Sequence, residues 1–520
     1  MNHPGIVIFV MLPMVAAVAD MLLHKYKKPQ RVIAVGTLLG NMVAAIWALA
    51  KTSDGTVLVS QMGNWPAPFG ISVIVDMLSA ILLAVTSAVM LAVYIYSLRE
   101  LPRRFAGGYF NPLYLSLLMG VNWAFITGDL FNLFVAFEIF LLSSYGILIL
   151  GTTPAQMRQA YKYVLLNLFA STLFVAACGL TYGVLGTLNF AEIAALANAG
   201  QVPASMVPVA GLLLMVFAAK TAAFPLWFWL PDTYPTLPPA MGGLFSGLLT
   251  KVGVYTLLRV FIQVLGDVPL IAQLALPLIL ISAVGTMFGG VLGAVSSTRI
   301  RKILAIHVIS QVGYMVLGIG LATKVALAAV VLYVVQHMVV KCALFLCAGL
   351  VIGRTGTDDL GRLGGLIKRD VPLAVLFFIA AMSLVGLPPL SGFYGKFMLI
   401  TESFARTDWQ GYVLGGFAII TGVLTLVSMV KIWNYAFWNK EQPGAPGDVP
   451  IMSNAPNTVG YFATGFLVLI ALSVAFGAQG YLNLANVAAE QMLDAEAYVS
   501  AVLGDEAWAY VEQQRMEVRP

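Results

Sequence analysis

Residues 325–353 read Val325-Ala-Leu-Ala-Ala-Val-Val-Leu-Tyr-Val-Val-Gln-His337-Met-Val-Val-Lys341-Cys-Ala-Leu-Phe-Leu-Cys-Ala-Gly-Leu-Val-Ile-Gly353. A helix needs about 20 apolar residues to cross the hydrocarbon core of a membrane, and this run is long enough. It is also interrupted at its centre by a lysine. A charge at that depth costs at least ~2.5–3.5 kcal/mol, so it persists where it has a use. Working outward, the same conflict recurs at Lys220, Lys251, Lys396 and Glu138, each inside its own apolar run. Together they point to an ion or proton path through the middle of a bilayer.

The composition agrees. Of 520 residues, 60% are hydrophobic and 10% charged, against roughly 25% charged in a soluble domain. Mean hydropathy is +0.91. Fourteen apolar runs are expected to span: 4–23, 31–50, 71–97, 111–127, 130–150, 162–185, 206–230, 240–263, 271–295, 302–321, 325–353, 371–402, 411–438 and 458–482. Met1–Asp20 lacks the basic start and small-residue cleavage site of a signal peptide, so it reads as a retained first helix.

The cations set a direction. With the N-terminus outside, the inner loops hold Lys25, Lys27, Lys28, Arg31, Arg99, Arg103, Arg104, Arg158, Lys162, Arg299, Arg301, Lys302, Arg354, Arg362, Lys368, Arg369 and Lys440. The outer loops and tail hold Lys51, Lys324, Arg406, Arg515 and Arg519. The positive-inside rule then predicts fourteen spans with both ends outside. No basic stripe interleaved with aromatics suggests nucleic acid. Cys178, Cys342 and Cys347 sit singly in apolar runs and read as core residues.

Two runs are broken. Phe224–Pro239 contains Pro225, Pro231, Pro235, Pro238 and Pro239; Leu384–Gly395 contains Gly386, Pro388, Pro389, Gly392 and Gly395. Proline removes a backbone donor and clashes with the preceding turn. Broken backbone at membrane depth survives only where protein or water satisfies it, and paired broken helices mark the transport site of many carriers. There is also a short internal echo. Lys220-Thr-Ala-Ala-Phe224 is similar to Lys341-Cys-Ala-Leu-Phe345, and Ser246-Gly-Leu-Leu-Thr-Lys251 to Ser391-Gly-Phe-Tyr-Gly-Lys396. The last stretch, Asn486–Pro520, is acidic. Its apolar stripe at Met492, Tyr498, Val502 and Ala509 predicts an amphipathic surface helix pair.

Lysine, unlike arginine, can give up and regain a proton when buried, which suits a relay. Glu138 needs a counter-charge, and Lys220, just before the first break, is the expected partner; a static ion pair is the competing reading. His337 lies four residues before Lys341, on the same helix face. His307 is the second histidine inside a span, and neutral histidine can pass a proton. Snorkelling to the interface is expected of Lys431 and Arg259, near helix ends. Asp76 and Asn167 are weaker embedded candidates, and Asp129 is expected to be solvated. No P-loop, GxGxxG loop, HExxH, serine elbow or cysteine cluster is present, so neither a cofactor nor an enzymatic activity of its own is expected.

These motifs together carry a family resemblance. Phe131–Glu138 with Leu141-Leu-Ser-Ser-Tyr145, Lys220 with Phe224-Pro-Leu-Trp-Phe-Trp-Leu-Pro-Asp232, Pro238-Pro239, Lys251, Lys341 and Leu387-Pro-Pro-Leu-Ser-Gly-Phe393 resemble the antiporter-like subunits shared by respiratory complex I, membrane-bound hydrogenases and multisubunit Mrp (Mnh or Pha) cation/proton antiporters. Asn64-Trp-Pro-Ala-Pro-Phe-Gly-Ile71 and Ala488–Tyr498 are most similar to the Mrp branch. The long C-terminal extension found in the largest antiporter-like subunits of complex I and of Mrp is lacking.

The resemblance implies an all-α polytopic fold of about fourteen helices. Two inverted five-helix repeats, about 111–263 and 271–438, lie within an antiporter-like domain, 1–484, followed by the tail, 485–520. The seventh and twelfth helices would be broken, with Pro225, Pro231, Asp232, Pro388 and Pro389 shaping the breaks. Glu138 and Lys220 would form the functional pair, with Lys251 and His307 bridging to Lys341 and Lys396. A bacterial cell membrane, Na+ and H+ as the coupled ions, and the A, B, C, E, F and G subunits of an Mrp complex as partners would follow. The redox-driven branch implies a proton-pumping subunit instead. One departure stands out. Asp232-Thr-Tyr-Pro235 lacks the histidine of many relatives, so proton entry from the cytoplasm is expected to differ.

Overall fold

A computed structural model describes residues 3–67, 69–101, 108–150, 153–440 and 457–509. Arg103, Arg104, Arg515 and Arg519, counted above among the loop and tail cations, lie outside these residues, as does the end of the acidic tail.

The helices in chain order are α1 (Ile8–Leu22), α2 (Lys27–Thr52), α3 (Met77–Glu100), α4 (Phe110–Ile126), α5 (Leu130–Ile149), α6 (Pro154–Leu185), α7 (Phe190–Asn198), α8 (Met206–Thr221), α9 (Leu230–Thr233) and α10 (Pro239–Leu258). They continue as α11 (Pro269–Ser296), α12 (Ile300–Leu321), α13 (Lys324–Thr355), α14 (Leu366–Arg369), α15 (Val371–Val385), α16 (Ser391–Ala405), α17 (Trp409–Ile432), α18 (Thr458–Phe476), α19 (Ala478–Leu493) and α20 (Ala495–Leu503). Among the described residues, eleven helices are long and apolar enough to cross a membrane, and the shorter apolar helices α4, α8 and α15 bring the total to fourteen. The seventh and twelfth crossings are the broken ones.

Local chemistry sets the ends. Thr153 caps α6 through the Gln156 amide and Pro154 takes its first turn, so this helix starts well before the expected residue 162. The expected span 71–97 is likewise corrected. Ser72–Val75 is a β-strand, β2, paired antiparallel with β1 (Leu58–Gln61), Leu58 opposite Val75. The β-branched run Val73-Ile-Val75 favours the strand. Asp76 then caps α3, accepting from the Ser79 amide at 2.9 Å.

Burial separates centre from rim. The apolar windows of α10, α12 and α13 are 100% enclosed, against 33% for α2 and 39% for α6 and α17. α13 packs on α10, α12, α15, α16, α18 and α19. The three enclosed helices carry Lys251, His307, His337 and Lys341.

The five crossings α4 to α10 are repeated by α11 to α17, and backbone bonds fix the register. The Leu130 amide donates to Leu188 O at 2.9 Å and the Phe190 amide to Gly128 O at 2.8 Å. At an offset of 170, the Ile300 amide donates to Asp358 O at 2.9 Å and the Leu360 amide to Thr298 O at 3.0 Å. At the breaks the offset is 164: cis Phe224-Pro225 matches cis Pro388-Pro389, and Leu226 N–Ala223 O matches Leu390 N–Leu387 O. Both sets end in a π-helical turn, Arg259–Val264 and Trp433–Trp438. The short sequence echoes therefore do not mark the duplication. Lys220 and Lys341 belong to non-equivalent helices, and so do Lys251 and Lys396.

Candidate functional site

The first break ends α8. Ala222 takes a left-handed conformation, φ 59°, and the chain runs irregularly to α9. Lys220, 4% exposed, lies one turn before the break. Its ammonium donates to Ser171 Oγ at 2.8 Å and Asn167 O at 3.3 Å on α6, and sits 5.5 Å from the centre of the Phe137 ring. Glu138, the next residue after Phe137, is near enough for the two charges to interact. No ion pair joins them, however, and Glu138 Oε1 is buried without a hydrogen-bond partner among the described residues. The expected contact pair is thus open, because α6 supplies the lysine with neutral oxygens first.

Asp232 also departs from expectation. It is 45% exposed, 3.9 Å from Lys162 and 3.8 Å from Lys302, so it belongs to a surface charge cluster rather than to the break itself. Pro231 opens α9 beside it.

The enclosed helices carry the central row. Lys251 donates to Ser246 O at 2.5 Å and Thr250 Oγ1 at 3.1 Å. A Cβ on Gly247 would lie 2.4 Å from Cys342 Sγ, so α10 and α13 touch here and bring Lys251 beside the Lys341 turn. Lys341 donates to Leu304 O on α12 at 2.8 Å, one turn before His307. His307 meets Ser310 Oγ at 3.1 Å and the Ser428 hydroxyl of α17 on its other nitrogen. Neither nitrogen of His337 has a partner among the described residues.

From His307 a side-chain file runs on. Gln311 Nε2 donates to Ser310 Oγ at 2.9 Å, and the Tyr333 hydroxyl donates to Gln311 Oε1 at 2.5 Å. The Tyr333 ring lies 5.9 Å and the Tyr314 ring 4.7 Å from the Lys396 ammonium. Lys396 itself donates to Leu384 O at 2.9 Å and Val385 O at 3.0 Å, the free carbonyls that end α15 before Pro388 and Pro389. Ser310, Gln311 and Tyr333 escaped the sequence reading. Their positions on enclosed helices were the available signal.

A second charged group was misread. Arg259 is 2% exposed and does not snorkel. It grips Asp76, Nη1 to Oδ2 at 2.5 Å and Nη2 to Oδ1 at 3.0 Å, and also bonds Ser79 Oγ at 3.0 Å, the Tyr255 hydroxyl at 3.1 Å and Gln263. An arginine is therefore deeply buried after all. Lys251, Tyr255, Arg259 and Gln263 recur every fourth residue, one stripe on α10 and its π-turn. The tail closes over its end: Gln491 Oε1 accepts from the Met77 amide at 2.8 Å, and Gln263 Nε2 donates to Gln491 O at 3.3 Å. Met492, Tyr498 and Val502 are buried; Ala509 is exposed. Lys431 ends on the carbonyls of Val295 and Ser297, both at 2.6 Å. Asp129 is half-buried and caps α5 through the Asn132 amide at 2.8 Å; burial, outweighing its hydrogen bonds, raises its pKa. No cluster of three or more His, Cys, Asp or Glu able to hold a metal occurs among the described residues.

Residues 127–424 match the transmembrane family described as NADH:quinone oxidoreductase/Mrp antiporter. Over 500 residues the chain is 39% identical to the D subunit of the Na(+)/H(+) antiporter of Alkalihalophilus pseudofirmus, covering 96% of this chain and 99% of the relative. The chain belongs to the NADH:quinone oxidoreductase/Mrp antiporter family. It is also similar to the D subunit of the Na(+)/H(+) antiporter of Bacillus subtilis, 33% identical over 96% of this chain and 99% of that one. Among solved structures, a chain of the Mrp complex from Dietzia sp. superposes with a TM-score of 0.88 at 31% identity, covering 96% of this chain and 99% of the other.

Proposed function

We propose that this chain is the proton-translocating subunit of a multisubunit Na+/H+ antiporter in a bacterial cell membrane, working with the A, B, C, E, F and G subunits of that complex. The observation that carries the reading is the row of ammonium and imidazole groups on enclosed helices, of which Lys251, Lys341 and His307 are bonded to neutral oxygens. Such a row can hand protons along without first breaking a strong ion pair.

In this reading Lys220 alternates between Ser171 with Asn167 on one side and Glu138 on the other. Approach to Glu138 favours the charged lysine, and retreat favours proton release. The change passes electrostatically through Lys251, Lys341 and His337 to His307 and Lys396. Protons move in as the coupled cation moves out, which serves pH homeostasis. The repeats are taken as 111–263 and 271–438 within the 1–484 domain. Five crossings is an odd number, so the second repeat is inverted, and both termini are placed outside.

The test is cation-induced proton movement in everted vesicles carrying the whole complex. Wild type is expected to collapse a pH gradient on sodium addition, and Glu138→Ala, at equal assembly, to lose this. An assembled wild type without a cation response would favour a redox-driven pump, with quinone-handling partners among the co-purifying subunits. An unaffected Glu138→Ala would leave Glu138 a structural charge.

A further inference from the structure

We infer that the second break is a cation-exchange site, at which a dehydrated alkali cation replaces the Lys396 ammonium on the carbonyls that end α15. The inference rests on the antiport reading above and adds to it a place for the cation within this subunit.

A helix end leaves four carbonyls without partners. At α15 all four are accounted for. Met382 O accepts the Gly386 amide at 3.0 Å and the Leu387 amide at 3.2 Å, and Ser383 O accepts Gln336 Nε2 at 3.1 Å. Among the described residues, Leu384 O and Val385 O are held only by Lys396. If that lysine loses its proton and withdraws, two carbonyls at the negative end of a helix dipole are orphaned in an enclosed place. Carbonyls of this kind are the usual ligands of sodium in carriers with discontinuous helices.

More oxygen ligands stand beside them. Ser383 Oγ, Ser391 Oγ and Gln336 Oε1 have no hydrogen-bond partner among the described residues, and all three residues are at most 1% exposed. Ser383 and Gln336 pack on Gly392, and Gly392 and Lys396 both pack on Gly386. A Cβ on Gly392 would lie 1.9 Å from Ser383 O and 3.2 Å from Gln336 Nε2; a Cβ on Gly386 would lie 2.9 Å from Lys396 Cδ. The Tyr314 and Tyr333 ring faces already flank the ammonium and suit any compact cation.

The first break offers a control within the same chain. At the corresponding positions it carries Ala219, Trp227 and Leu166 in place of Ser383, Ser391 and Gln336, and its lysine is turned to α6 instead of the break carbonyls. These oxygen-bearing side chains belong to the second break.

The exchange balances one for one. One N–H bond of the Lys396 ammonium breaks and one N–H bond forms on the neutral His307 imidazole, the proton crossing the polar region that Tyr333, Gln311 and Ser310 line, and the neutral amine cedes the carbonyls to one monovalent cation. The cation brings in one positive charge as Lys396 gives one up, and the relayed proton leaves with the inward proton flux.

The test uses the whole complex in proteoliposomes, with Na+ and Li+ as probes and an imposed pH gradient. Ser383→Ala, Ser391→Ala and Gln336→Leu are each expected to raise the half-saturating Na+ concentration roughly five- to tenfold with maximal rate nearly kept, and to shift the Li+/Na+ preference. Ser383→Cys and Ser391→Cys conserve volume, so they report the same loss of a hard oxygen ligand should an alanine variant not assemble. Unchanged half-saturation and preference in active variants overturn the site alone. A wild-type complex without cation-linked proton flux overturns the antiport reading and the site with it.

Discussion

Replacing Arg259 by glutamine leaves a buried carboxylate without its cation. Asp76 is 1% exposed and Arg259 2%, and of the bonds to Asp76 only the one from the Ser79 amide at 2.9 Å survives. Breaking a buried pair on one side costs about 3–5 kcal/mol. Asp76→Asn strands Arg259 at a similar cost, although the amide oxygen still caps α3. The double variant strands neither charge and loses only hydrogen bonds and fit, about 1–2 kcal/mol. The singles therefore exceed the double by roughly 4 kcal/mol or more in sum. The assay is equilibrium unfolding of the purified complex in detergent, read on this subunit, for all four members of the cycle. Additivity within about 0.5 kcal/mol would refute the pairing.

Acid should weaken the same pair. Burial pushes the Asp76 carboxyl up, but the Arg259 charge and the hydrogen bonds outweigh it and hold the pKa below the usual range. A depressed folded value stabilises above the unfolded value of about 3.9 and is lost as pH falls through the folded one. Stability from this pair should thus be flat between about pH 5 and 8 and fall only below about 4, seen as a pH series of melting curves. Gln491→Leu strips the Met77 amide of its acceptor at 2.8 Å and should cost about 1–3 kcal/mol, with faster proteolysis of the tail as the readout. Glu490→Gln should cost under about 1 kcal/mol, because its bond to Lys324 joins side chains 56% and 52% exposed. Gly313→Val should be severe, since a Cβ there lies 2.5 Å from Met287 Cγ and 2.6 Å from its amide. Loss of assembled complex on size-exclusion is expected, and normal yield would show that α11 and α12 can part.

The fourteen crossings and both breaks were legible because they are written locally, as apolar runs and proline clusters. The embedded charges were legible for the same reason. Their partners were not. Lys220 bonds residues 49 and 53 positions away, and Arg259 bonds Asp76 across 183. Nothing in the neighbourhood of either residue states that choice. Arg259 looked like a helix-end cation because its apolar run ends near residue 263; the π-turn that follows α10 keeps it inside. The duplication was expected only from the family resemblance, and the short echoes failed to mark it for a different reason. It is kept by backbone bonds, which Leu130 and Ile300, or Phe190 and Leu360, make equally well whatever their side chains.

The lid over the Asp76–Arg259 pair has a bearing on biosynthesis. Gln263 and Gln491 are separated by 228 residues, which a ribosome needs about 11–46 s to add. Through that interval α3 and α10 can already meet, while the Met77 amide still waits for its acceptor. A chain released early would be threaded but unsealed at this end. A chain that has reached Gln491 therefore differs at this end from one that has not: only the former satisfies the Met77 amide and closes over Gln263.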